Sequence, residues 1–147
     1  MATIIHNGAR NGALGAPNGT TSVIDYDTDD MRLSLIDDTD LSSPAGPPAV
    51  TWDDWADMNQ GTKVADGANL SAKTVGTVAV GVFDADNYTF GTVTGDAADY
   101  LNLRKYNATD ANSPLVITWD SATTGLPVSP NGGDITVQFS GSGILQV

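Results

Sequence analysis

The chain contains no cysteine and no glutamate, and it has one histidine and six basic residues among 147. Without cysteine there is no disulfide scaffold, no thiolate zinc site and no cysteine nucleophile. The lone histidine, His6, has no second histidine or thiol near it in sequence, so neither a triad nor a metal set forms around it. Long apolar runs are also missing, so no segment is long enough to cross a bilayer as a helix. Residues 1–10 lack the basic stretch and apolar core of a secretory signal, which predicts synthesis and use without export by that route. The scarcity of Lys and Arg leaves a net charge of −12. A surface of that sign repels phosphate, and Arg104-Lys105 is the one adjacent basic pair, so nucleic-acid binding is not expected.

All 18 acidic residues are aspartate. Aspartate competes with the backbone for hydrogen bonds and favours turns and caps, whereas glutamate is the acid of helix interiors. With 16 Gly and 7 Pro, this acid choice predicts short strands joined by many turns. The length fits one domain around one core.

Residues 1–21 stand apart. Three Asn-Gly pairs and Pro17 make this stretch too turn-rich to order itself. It reads either as a loose terminus or as an arm that orders on a neighbouring subunit, with Thr3-Ile4-Ile5 as a short strand and Ile4 and Ile5 extending a sheet edge. Residues 22–147 read as the β-domain. Thr21 to Asp25 is a further short strand candidate, and Met31 to Ile36 alternates apolar and polar like a half-buried strand. Strands are also predicted over Thr74–Val82, Asn87–Val93, Tyr100–Arg104, Leu115–Trp119, Ile135–Phe139 and Ile144–Val147, with turn clusters between. Thr51 to Met58 is the one helix candidate: Thr51 caps it, and Trp52, Trp55 and Ala56 share a face. The expected fold is all-β, an antiparallel β-sandwich or jelly-roll-like barrel with an extended N-terminal arm and at most one short helix.

Candidate chemistry is sparse. Asp25, Asp27 and Asp29 alternate as the first ligands of a calcium loop do, but Asp30 stands where such a loop needs Gly and Ile36 where it needs Glu. A polar turn is the better reading there, and also for Asp84 and Asp86. With 18 Asp, carboxylate pairs of the glycosidase kind form on paper anywhere and carry no weight. No serine elbow and no Gly-rich phosphate loop is present. The chain is therefore expected to be no enzyme and to hold no cofactor or metal. Trp52 and Trp55 need an apolar dock, which is either the protein's own sheets or a binding partner.

Asp27-Thr28-Asp29 stands before the strand Met31 to Ile36, and Val82-Phe83-Asp84-Ala85-Asp86-Asn87-Tyr88 follows a Thr/Val-rich strand. Further on come Ser113-Pro114-Leu115-Val116-Ile117, Gly133-Asp134-Ile135-Thr136-Val137-Gln138-Phe139 and Gly143-Ile144-Leu145. In order and spacing these segments, over roughly residues 26–147, resemble small virion structural proteins of tailed bacteriophages. The opening arm and the Trp-rich stretch at 51–58 depart from that pattern. The resemblance implies a noncatalytic capsid decoration or cement protein on the virion surface, made in the host cytoplasm. Its partners would be the major capsid protein and two further copies in a homotrimer, with Ile4, Ile5, Trp52 and Trp55 as candidate contacts. A tail or neck component is the alternative. A carbohydrate-binding β-sandwich, using Trp52, Trp55 or Trp119 as a stacking platform, is another.

Overall fold

The computed structural model describes residues 4–5, 24–37, 63–109, 113–119 and 125–146. Ten strands occur there: β1 (Ile4–Ile5), β2 (Met31–Ile36), β3 (Lys63–Asn69), β4 (Thr74–Val75), β5 (Val82–Asp84), β6 (Tyr88–Phe90), β7 (Tyr100–Lys105), β8 (Leu115–Trp119), β9 (Ile135–Val137) and β10 (Leu145–Gln146). No helix occurs among the described residues. The helix candidate at 51–58 lies outside them.

The strands form three antiparallel sheets, ordered β1-β8-β7-β2-β3, β10-β5-β4 and β6-β9, and none closes into a barrel. Alternation explains the central strands. In β2, Met31, Leu33 and Leu35 enter the main apolar cluster, where Leu101 and Leu103 of β7 stand opposite Leu35 and Leu33. Phe83 of β5 and Phe90 of β6 join the same cluster, so all three sheets share one core.

The half-buried expectation for β2 needs correction, because the polar side of this strand is buried too. Ser34 and Asn102, opposite each other, are fully buried, as are Arg104 and, within 1%, Thr118. They stay there because they bond one another. Asn102 Nδ2 donates to Thr118 Oγ1 at 2.8 Å and to the Ile117 carbonyl at 3.3 Å. A buried polar group so paired escapes most of the desolvation cost.

Three further departures have local causes. Ile24 and Asp25 are not in a strand; they lead into the turn at 26–29, whose Asp29 N–H donates to the Asp25 carbonyl at 2.8 Å. The expected strand Thr74–Val82 is instead a hairpin. Gly76 and Gly81, at φ 77° and 74°, reverse the chain, and β4 returns against β5 with Val75 opposite Phe83. Strand β3 has no apolar alternation, since Asp66, Gly67 and Asn69 occupy it.

Gly67 has a packing reason. A Cβ there would lie 2.9 Å from the Leu33 carbonyl and 3.1 Å from the Tyr88 ring. Tyr88 crosses this gap, and its hydroxyl accepts the Ala68 N–H of the edge strand at 2.7 Å. That tyrosine links the small β6-β9 sheet to the large one and blunts the β3 edge. Gly67→Ala should therefore destabilise the fold by roughly 1–3 kcal/mol through overpacking. Gly141→Ala, where an added Cβ meets nothing within 4 Å, should be near neutral. Urea unfolding of the two variants checks this; equal midpoints would refute the close-approach role of Gly67.

Candidate functional site

Arg104 is the most deeply buried charge among the described residues. It sits on β7 opposite Arg32 of β2. Its guanidinium reaches across β2: Nη2 contacts Asp66 Oδ1 on β3 at 2.7 Å, and Nη1 donates to Ser34 Oγ. Ser34 Oγ donates in turn to Asp66 Oδ1 at 2.7 Å, and Lys63 Nζ stands 3.5 Å from Asp66 Oδ2. Burial pushes the Asp66 carboxyl upward, but hydrogen bonds from Arg104 and Ser34, with the charges of Arg104 and Lys63, outweigh it and hold the carboxyl below its ordinary value.

The other described cations are similarly engaged. Arg32 binds Asp30 through two contacts, at 2.9 and 2.7 Å, and lies 3.7 Å over the Tyr106 ring. Lys105 pairs with Asp29 at 2.8 Å, and Lys73 donates to Asn69 Oδ1 at 2.6 Å.

These pairings also account for the aspartate-rich turn. Asp29 and Asp30 face Lys105 and Arg32. Asp29 also accepts the Asp25 N–H at 2.7 Å. Asp25 and Asp27 share a hydrogen bond that lowers the first carboxyl and raises the second. Asp86 accepts from Ser71 Oγ at 3.2 Å. The carboxylates close their own turns, and no group of three or more metal-ligating side chains occurs among the described residues.

A cleft of about 540 Å³ opens elsewhere, and its described lining carries no charged residue. Leu35, Leu101 and Trp119 of the large sheet form one wall. Ile135 and Val137 of β9, with Phe139 and Ile144, form the other; Leu126 and Val128 also line it. Thr136, Gln138 and Ser140 complete its described lining. The described lining is mainly apolar, which suits it to holding an apolar group.

Ile4 and Ile5 lie at the other edge of the large sheet, paired with Thr118 and Ile117 of β8 in the same chain. Trp52, Trp55 and His6 lie outside the described residues. Trp119, weighed in the sequence as a stacking platform, is half-buried at the cleft wall and packs against the core. Sequence reasoning missed the cleft itself. Its one signal was that Ile135, Val137 and Phe139 alternate towards the same side.

The Arg104 cluster yields a pH prediction. A carboxyl lowered by folding contributes stability above its unfolded pKa, about 3.9, and loses it as pH falls through the folded value. Asp66→Asn should remove this contribution and the Arg104–Asp66 ion pair. The expected cost at pH 7 is about 1–3 kcal/mol, short of a fully buried pair because Asp66 keeps contact with water. Stability of the variant should also fall less steeply than that of the parent between pH 5 and pH 2, a window set by the lowered carboxyl. Urea unfolding across that range decides, and parallel curves would refute the assignment.

Comparison with known proteins finds no matching family model and no matching curated protein.

Proposed function

We propose that the chain is a noncatalytic structural protein of a tailed-bacteriophage virion. In this reading it is a decoration protein that binds the outside of the capsid shell as a homotrimer and bridges neighbouring capsid subunits. The smaller sheets would face the large one as the second layer of a β-sandwich. The observation that carries the reading is where the resembling segments fall. Asp27-Thr28-Asp29 is the turn before β2, and Val82 to Tyr88 joins β5 to β6. Ser113 to Ile117 leads into β8, Gly133 to Phe139 contains β9, and Gly143 to Leu145 enters β10.

The surface chemistry supports the same role. The described cations turn to acidic or amide partners on the protein itself, and a cleft with an uncharged described lining is left in a chain of net charge −12. High like charge keeps free copies soluble, while an apolar cleft supplies contact free energy once a partner is positioned. No bond is made or broken in such a role. A protein that binds the assembled shell more tightly than its separated subunits stabilises it by mass action. Ile4, Ile5, Trp52 and Trp55 are the proposed contacts with the shell or with neighbouring copies.

A carbohydrate-binding module is the second reading, favoured by Trp119 beside Thr136, Gln138 and Ser140 in the cleft. Mass spectrometry and imaging of purified particles separate the possibilities. A decoration protein should be present in hundreds of copies spread over the shell. A handful of copies at one vertex would assign it to the tail or neck, and absence from particles would remove the virion reading. Quenching of Trp119 fluorescence by a glycan, lost in Trp119→Phe, would favour the carbohydrate reading. For the decoration protein, Trp52→Ala with Trp55→Ala should reduce shell occupancy at least tenfold while leaving the thermal midpoint of the free protein unchanged.

A further inference from the structure

The three exposed large apolar side chains among the described residues belong to one hairpin: Val75 is 47% exposed, Val78 43% and Val80 92%. The hairpin is shaped by its backbone. Gly76 N–H donates to the Val82 carbonyl at 2.9 Å, and Val82 N–H to the Ala79 carbonyl at 3.1 Å. From Thr74 to Phe83 it carries no charge. A tight loop holding valine almost fully in water keeps its apolar surface where the hydrophobic effect opposes it.

The same chain contains a complementary cavity, the cleft between the large sheet and β9, whose described lining is also uncharged. Two copies each carrying −12 repel wherever their acidic surfaces meet, so close approach is least costly where both faces lack charge. The valine hairpin and the described lining of the cleft meet that condition together. A second copy supplies both at once.

We infer that the valine hairpin of one copy seats in the cleft of a second copy, so that this protein self-associates head to tail. The tip presents three valines, far fewer than the roughly 20–30 residues a side of a standard interface. One such contact alone is weak. A head-to-tail contact that closes into a ring uses the hairpin and cleft of every member, so the ring outlasts the isolated pair. The number three rests on the proposed trimeric decoration protein; the contact itself does not need the shell.

The experiment uses the full chain free in solution. Salt screens the repulsion between acidic copies and leaves an apolar contact intact, so sedimentation should show association that strengthens from 20 mM to 500 mM NaCl. Val78→Asp with Val80→Asp should weaken association at least tenfold, and so should Gln138→Asp with Ser140→Asp in the cleft. Both sets alter surface positions, and circular dichroism of each should match the parent. The parent has no cysteine, so Val80→Cys in one batch and Gln138→Cys in another supply the sole thiols. A short bismaleimide should link the two batches when mixed and neither alone. A protein that stays monomeric at millimolar concentration, hairpin variants that associate like the parent, or links of Val80→Cys to itself would each overturn the inference. Shell binding without this self-association would leave the virion reading standing and remove this contact.

Discussion

Burying Arg104 constrains the large sheet more than any apolar contact in it. A guanidinium with no exposed surface needs an acid and further acceptors within reach. Asp66 and Ser34 meet that need only if β3, β2 and β7 lie side by side in the observed register, with Ser34 opposite both Asp66 and Asn102. A slip by one residue would turn Arg104 into the apolar cluster and Leu103 away from it. The ion cluster therefore contributes more to choosing one register than to net stability, for which an apolar layer would serve as well.

The same arrangement sets the character of the surface. Arg32, Lys63, Lys73, Arg104 and Lys105 are each occupied with a nearby acid or amide, and aspartates outnumber these cations among the described residues. Against that acidic field the described lining of the cleft and the valine hairpin stand out as places without charge. Electrostatics thus disfavours the approach of another acidic surface least at these two places.

Much of this fold is legible in the residues. Strands β2, β7 and β9 follow from alternation, because one face of each meets the shared core, and β8 follows from its β-branched and aromatic run Leu115–Trp119. Strand β3 was hidden because an edge strand with Asp66, Gly67 and Asn69 draws its strength from specific partners and not from a hydrophobic pattern. The run Thr74–Val82 misled for the opposite reason: its pattern is that of a strand, and two glycines with positive φ override it. The polar pair Ser34 and Asn102 looked like a solvated face, since no single strand reveals that its neighbours will supply the hydrogen bonds. The cleft was illegible because its walls come from segments far apart in the chain.

The strand order β1-β8-β7-β2-β3 has a kinetic consequence. Leu33 finds Leu103, and Ile5 finds Ile117, only after most of the chain has been made. At about 5–20 residues per second, β2 waits several seconds on a translating ribosome before β7 emerges. Sheets built from such distant pairings also fold slowly, on the order of milliseconds to seconds. During that interval Met31 to Ile36 is a sticky strand without its central partner. Four aspartates crowd the six residues before it and one follows it directly, and these act as gatekeepers against pairing between nascent chains. The acid-only turns that shape the finished surface thus also protect the unfinished one.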